Sequence, residues 1–416
     1  MTKEEKRLSR REWLKGAGAA GLGSVLLATG VTARASGEKP AESSKPRVIP
    51  TRPFGKTGVQ VSCLALGGMF DIPSNQLMLK QAIKWGVTYW DTADCYLGGK
   101  SEKGIGKFFS RHPEARKKIF LVTKSDARDP SGMTRLLNRS LERMKTDYID
   151  LYFIHALSDI GEVNAETRRW VEQAKTQGKI RFFGFSTHKN MEKCMQDAAK
   201  LGWIDGIMMS YNFRLMHTKE MRAAVEACVR AGIGLTAMKT QGGGPVRAES
   251  ETELELAGRF LKQGFTDKQA KLLAVWEDAH IASLCSQMPN LTVLMSNVDA
   301  ACKQQTLSAG DKKLLEQYAH ETTGTYCAGC AHLCEPVLEG DVPISDVMRY
   351  LMYHRHYAEN DQARALLAEL PEEICHRLLS LDFTPAEQRC PRGLKIGKLM
   401  RQAAHLLAQR NQEARA

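Results

Sequence analysis

Asp91, Tyr96, Lys124 and His155 stand at the ends of separate apolar, strand-like runs. Asp91 and Tyr96 close VTYWDTADCY, Lys124 closes KIFLVTKS, and His155 closes DYIDLYFIHAL. A carboxylate, a phenol, an ammonium and an imidazole gathered in one cleft could donate a proton to a carbonyl oxygen as charge develops on it. A tyrosine with an unperturbed pKa of about 10 is a poor acid near neutrality. A neighbouring ammonium favours the phenolate and eases release of the proton. Lys124 suits that role, Asp91 would hold Lys124 charged and in place, and His155 would hydrogen-bond the substrate oxygen.

A second set of chemical residues lies far downstream. Cys327, Cys330 and Cys334 are spaced C-x2-C-x3-C, and Cys390 directly precedes Pro391. Three clustered thiols plus a distant Cys-Pro is the ligand logic of a [4Fe–4S] cluster, although the bacterial ferredoxin run is C-x2-C-x2-C-x3-C-P. Cys375 or His332 could complete a site instead, and four sulfur-rich ligands also suit zinc. A disulfide, or a fold that has lost its metal, is the remaining alternative. Cys63, Cys95, Cys194, Cys228, Cys285 and Cys302 are scattered through core-like runs and read as small hydrophobes.

The elements that would position these residues alternate. Strand-like runs fall at 61–68, 87–93, 119–124, 148–156, 180–187, 204–212, 234–240 and 291–297. Between them lie segments with apolar residues three and four apart, such as 131–144, 164–178 and 217–232. Eight strands alternating with helices over about 250 residues predict an α/β fold, a (β/α)8 TIM barrel whose strand ends converge on one face. A doubly wound dinucleotide-binding sheet is disfavoured, because no GxGxxG follows the first strand. Residues 241–270, with GGGP and a run of glutamates, read as a long active-site loop. The barrel is predicted over 48–320. A small helical, cysteine-containing domain follows over 321–416, its cysteines flanked by amphipathic helices.

The chain has 416 residues, 43% hydrophobic and 25% charged, which suits a globular protein with a sizeable core. Of its net charge of +12, residues 1–35 supply +4, from seven Lys and Arg against three Glu. The rest is spread thinly, without the basic stripe and interleaved aromatics of a nucleic-acid groove. Ser9-Arg10-Arg11 precedes a mildly apolar stretch from Gly16 to Val31 and a small-x-small site at Ala33-Arg34-Ala35. The segment resembles a bacterial twin-arginine export signal over 1–35, with a polar linker at 36–47. The resemblance implies the twin-arginine export machinery as a partner and a periplasmic location, with membrane attachment only if the signal stays uncleaved.

The motifs carry a wider resemblance. RPFGKTGVQVSCLALGGM, DTADCYLGGKSEKGIGKF, SLERMKTDYIDLYFIH, GKIRFFGFSTH, SYN at 210–212 and AMKTQGGG at 237–244 together resemble the aldo-keto reductase family over about residues 48–310. The tail resembles the ferredoxin-like extension of one branch of that family. The resemblance implies Asp91, Tyr96, Lys124 and His155 as the catalytic tetrad. It implies Ser186, Thr187, Tyr211, Lys239, Ser296, Asn297 and Lys303 as contacts of NADP or NAD. Cys327, Cys330, Cys334 and Cys390 would be metal ligands. This sequence departs from the family at the cofactor. Ser-Thr replaces Ser-Asn, Met208 replaces a glutamine, and Lys303 is the obvious cation where a 2′-phosphate would sit. Two functions are therefore open. One is an exported oxidoreductase acting on a small carbonyl or alcohol, coupled through a cluster to an electron-transfer partner. The other is a non-catalytic redox-sensing or interaction module with a metal-binding tail.

Overall fold

The period-two alternation of the apolar runs places one set of side chains inside a closed sheet and the other set beneath helices. The computed structural model describes residues 48–244, 250–303, 305–357 and 359–413. Residues 1–35, expected to be an export signal, and the expected linker at 36–47 lie outside them. A short hairpin, β1 (Thr51–Pro53) with β2 (Gln60–Ser62), leads into eight parallel strands. These are β3 (Leu64–Gly67), β4 (Tyr89–Asp91), β5 (Phe120–Ser125), β6 (Ile149–Ile154), β7 (Ile180–Thr187), β8 (Gly206–Ser210), β9 (Gly234–Met238) and β10 (Ile281–Gln287). They close in sequence order, β10 pairing with both β9 and β3, into the expected (β/α)8 barrel.

Helices return the chain between strands: α1 (Gln76–Lys84), α2 (Lys100–Arg111), α3 (Pro130–Met144), α4 (Ala165–Thr176), α5 (Met191–Leu201), α6 (Lys219–Arg230), α7 (Glu251–Lys262) and α8 (Asp267–Trp276). Their starts are written in the sequence. Asp129, Asn164 and Thr218 accept from backbone N–H groups of the first turns of α3, α4 and α6. Thr266 and Gln269 form a capping box at α8.

Two expectations are corrected. Residues 291–297 are not a strand; they open α9 (Leu291–Lys303), and the eighth strand is the preceding β10. Asn290 accepts from the N–H of Val293, and Leu294, Asn297, Val298 and Ala301 are buried at helical spacing. The short apolar run LTVLMSN fits either period, and its three- and four-residue repeat decides it. The 241–270 stretch is likewise no long loop, because it contains α7 and the start of α8.

The barrel interior is filled, not hollow. Phe54, Tyr89, Phe120, Leu151, Phe153 and Met208 belong to one buried cluster inside it. Phe54 enters from the hairpin at the N-terminal end, where a Cβ on Gly206 or Gly234 would come within 2.9 Å and 2.6 Å of its ring. Those two glycines leave the space that the ring occupies.

Beyond the barrel come α10 (Ala309–Glu321), α11 (Ala331–Cys334), α12 (Ile344–His356), α13 (Asn360–Ala368), α14 (Glu372–Ser380), α15 (Thr384–Arg389) and α16 (Ile396–Glu413). Those after α10 share a core of their own, including Val347, Leu351, Leu367, Phe383, Leu399 and Met400. This tail covers part of the barrel's C-terminal mouth. Asn190 N donates to Gly329 O at 2.7 Å, Lys189 pairs with Glu335 at 2.8 Å, and Asn212 Nδ2 donates to Tyr326 OH at 2.9 Å. Gly329 has φ +83°, and a Cβ there would lie 2.3 Å from His188 O, so the seam needs glycine at that point.

Candidate active site

Three of the four tetrad residues extend an inward-facing column of their strands. Tyr89 leads to Asp91 on β4, Phe120 and Val122 lead to Lys124 on β5, and Leu151 and Phe153 lead to His155 just past β6. The alternation that packs the interior therefore aims all three side chains into the mouth. Tyr96 arrives by another route. It starts a 3-10 turn, Tyr96–Gly99, in which Leu97, Gly98 and Gly99 all have positive φ (51°, 62° and 84°). Arg139 and Arg143 of α3 pin this loop through Asp94 at 2.6 and 3.0 Å, and Arg143 also reaches buried Glu102 at 3.0 Å.

The groups meet as expected. Lys124 Nζ donates to Asp91 Oδ2 at 2.7 Å, to Thr92 O at 2.8 Å and to Tyr96 OH at 3.4 Å. The Tyr96 and His155 rings lie edge to face, 5.8 Å apart. Lys124 is 1% and Asp91 3% exposed. Burial pushes the Asp91 carboxyl up and Lys124 pulls it back. On the lysine, burial works against the ammonium, but Asp91 and then Tyr96 outweigh it and hold it protonated. A 2.7 Å contact is that of an ion pair. Asp91 Oδ1 is buried without a partner among the described residues, an acceptor available to a ligand hydroxyl or amide.

One electrostatic expectation changes sign. Lys124 does pull the Tyr96 hydroxyl down, but burial raises it by more, so the phenol keeps its proton at neutral pH. Tyr96 is thus held as the protonated phenol.

The sequence pattern gave no sign of how His155 is held. Its Nδ1 faces Asp126 Oδ1 at 3.1 Å and Cys95 Sγ at 3.7 Å, and its carbonyl accepts from Arg128 at 2.8 Å. The contact from His155 is the largest reason that the Asp126 carboxyl sits below its usual range. Asp126 lies two residues past Lys124, which is the signal that could have found it.

The chain also matches a family model and several known relatives. Residues 64–287 match the model of the aldo/keto reductase family. That match covers more than half of the chain.

The chain belongs to the aldo/keto reductase family.

An aldo-keto reductase of Fusarium vanettenii is 29% identical over 229 residues, 44% of this chain and 62% of that protein. The Schizosaccharomyces pombe aldo-keto reductase yakc [NADP(+)] is 34% identical over 159 residues, 33% of this chain and 45% of its own length. The chain thus spans about half to three fifths of these relatives. The holo form of aldo-keto reductase AKR11C1 from Bacillus halodurans superposes with a TM-score of 0.56 at 22% identity, over 65% of this chain and 96% of that one, a likeness of fold.

Within this aldo/keto reductase barrel the expected cofactor contacts divide. Ser186 ends an inward column of β7, and its Oγ accepts from Ala156 N at 3.0 Å. Thr187 has the outward parity of buried Phe183 and Phe185, and its Oγ1 donates to Lys189 O at 3.0 Å. Tyr211 also faces outward, one residue past β8. It is 2% exposed and donates its hydroxyl to Asp278 Oδ2 at 2.6 Å, so it does not reach the mouth. Lys239, with φ +54°, directly follows β9 and donates to Tyr353 OH of α12 at 2.7 Å. Ser296 and Asn297 lie mid-helix on α9, where the Ser296 carbonyl accepts from Gln269 Nε2 and Asn297 Nδ2 donates to Ser286 Oγ. Lys303 ends that helix, about 18 Å along from its first residue, and pairs with Asp299 at 2.9 Å. The correction of 291–297 from strand to helix is what carries Lys303 away from the mouth.

The tail brings its four cysteines together. Cys327, Cys330, Cys334 and Cys390 line one small pocket with Pro391 and Arg392. All eleven cysteines are free thiols. Burial first pushes the Cys327 and Cys334 thiols up to about 12, helped at Cys334 by Glu335 and at both by the other pocket cysteines. Cys375 and His332 are not in the lining. Among the described residues, the only three metal-ligating side chains with ligand atoms all within 4.8 Å of one another are Cys95, Asp126 and His155. The pocket cysteines are therefore spaced more widely than a single tetrahedral zinc requires, whose sulfur–sulfur edges are about 3.8 Å. A second cavity shares Cys327 and extends to His188, Ser210 and Lys239 at the barrel mouth. Burial, then Lys239 and Arg349, hold His188 neutral.

Proposed function

We propose that this protein is an oxidoreductase that reduces a small carbonyl compound, or oxidises the corresponding alcohol, with a nicotinamide dinucleotide. The observation that carries the reading is the buried Asp91–Lys124 pair set 3.4 Å from the Tyr96 hydroxyl, beside His155. When bound, the dinucleotide supplies the hydride that reaches the carbonyl carbon. Tyr96 gives its proton to the carbonyl oxygen, Lys124 stabilises the phenolate left behind, and Asp91 keeps Lys124 charged. His155 orients the substrate oxygen. The unpartnered Asp91 Oδ1, the hydroxyl of Ser186 and the ammonium of Lys239 fit a dinucleotide at the mouth. NADP is the form in the name of the fission-yeast relative, and with Lys303 at the far end of α9 the choice over NAD rests on that likeness.

The tail fits a [4Fe–4S] cluster held by Cys327, Cys330, Cys334 and Cys390 better than it fits zinc, because the thiols are too widely spaced for one small ion. When bound, the cluster carries single electrons. Cys327 lines both the four-cysteine pocket and the cavity that leads to the mouth, which favours coupling between cluster and barrel over a tail that works alone. The twin-arginine pattern over 1–35 supports export to the periplasm in the folded state, with both cofactors already loaded.

Two measurements test this. Anaerobically purified protein should show a broad visible band that bleaches with NADPH; a colourless protein removes the cluster and leaves the barrel reading intact. Deuterium from 4,4-dideuterated NADPH should appear on the carbinol carbon of a product in a screen of small aldehydes and ketones. Turnover without deuterium transfer would sink the hydride reading.

A further inference from the structure

Three ligand atoms of different chemistry converge beside the tetrad on loops that follow three successive strands. Cys95 comes from the loop after β4, Asp126 from the end of β5 and His155 from the end of β6. His155 Nδ1 is 3.1 Å from Asp126 Oδ1 and 3.7 Å from Cys95 Sγ, and all three atoms lie within 4.8 Å of one another. A tetrahedral zinc with ordinary bond lengths has N–O and N–S edges of about 3.4 and 3.6 Å. The two His155 edges thus match such a site, and the third edge, Asp126 to Cys95, is under 4.8 Å against about 3.6 Å in an ideal one. Cys95 is exposed and the Asp126 side chain is 61% exposed, so an ion can enter and the fourth position opens to solvent.

We propose that Cys95, Asp126 and His155 form a binding site for a divalent transition-metal ion, with zinc as the ion that this sulfur, oxygen and nitrogen set suits best. The neighbouring cations do not forbid it. Lys124 is paired with Asp91 at 2.7 Å and Arg128 with Glu162 at 2.5 Å. The site has a chemical consequence for the tetrad. In the metal-free arrangement a neutral His155 places its proton on Nδ1, facing Asp126, and leaves Nε2 as an acceptor. A metal on Nδ1 moves the proton of the neutral ring to Nε2, which turns that nitrogen into a donor. The ion would therefore set the tautomer of a tetrad member. It is distinct from the four-cysteine pocket of the tail.

The site is read by titrating the full chain with Co2+ as a spectroscopic stand-in, then displacing it with Zn2+. Wild-type protein should develop a near-ultraviolet thiolate-to-cobalt band that Zn2+ removes. Cys95→Ser should abolish the band and weaken Zn2+ binding at least tenfold. Asp126→Asn, at an exposed carboxylate, should weaken binding similarly and reads the site even if the cysteine variant fails to fold. The paired change Cys330→Ser with Cys390→Ser should leave the band in place. No band in the wild type, or a band that survives Cys95→Ser and vanishes with the tail cysteines, overturns the proposal. Binding is read directly, so the result does not depend on the protein being a reductase.

Discussion

Replacing Lys124 by Met removes one half of a buried ion pair and leaves the other half stranded. Lys124 and Asp91 are 1% and 3% exposed and 2.7 Å apart. At that distance and an effective dielectric of about 20, their attraction is about 6 kcal/mol, most of it offset by the cost of burying both charges. Removing one partner forfeits the attraction and keeps the burial cost of the other, so Lys124→Met should lose about 3–5 kcal/mol of stability at pH 7. The loss should depend on pH with a definite sign. Burial alone raises the Asp91 carboxyl above its unfolded value, and Lys124 no longer opposes it. The variant's folded state then binds more protons than its unfolded state, so its deficit shrinks as pH falls towards the ordinary carboxylate range and is largest above it. Lys124→Met with Asp91→Leu removes the stranded charge and should recover at least about 2 kcal/mol, while carbonyl reduction stays lost in both. Urea denaturation at pH 5 and pH 8 is the assay. Equal stability of wild type and Lys124→Met, or a double variant no better than the single one, refutes the reasoning.

Three further outcomes follow from the same structure. Phe54→Ala should cost about 3–5 kcal/mol by emptying the N-terminal end of the barrel, with activity per folded molecule unchanged, measured by denaturation and turnover together. Tyr353→Phe frees Lys239 from a charge-assisted hydrogen bond worth about 1.5–3 kcal/mol. The dissociation constant for the dinucleotide should fall several-fold by fluorescence titration, and an unchanged value would show that Lys239 does not meet the dinucleotide. Cys390→Ser should lower bound iron and bleach the visible band in the anaerobic protein, checked by metal analysis.

The tetrad was legible because its signal is simple. Asp91, Lys124 and His155 each continue a column of inward apolar residues, and alternation along a strand can be read from letters alone. The same parity, followed one residue further, would have turned Tyr211 away from the mouth. The run at 291–297 misled because seven apolar and polar residues fit two periods, and only the burial of Leu294, Asn297 and Ala301 separates them. That slip moved the eighth strand and, with it, the place of Lys303. The sign of the shift at Tyr96 was out of reach, since it depends on how deeply packing buries the hydroxyl. Local spacing grouped Cys327, Cys330 and Cys334, but only the fold could bring Cys390 to them or lay Tyr353 on Lys239. Contacts between distant segments leave no periodic trace in a single sequence.

The most direct test of the central claim is Tyr96→Phe, assayed for carbonyl reduction and for dinucleotide binding in the same preparation. The phenol is the proton source, so its loss should lower kcat by about 10²–10⁴-fold while the dissociation constant for the dinucleotide is unchanged. Turnover that survives the change undiminished would mean that the reaction does not run through this tetrad.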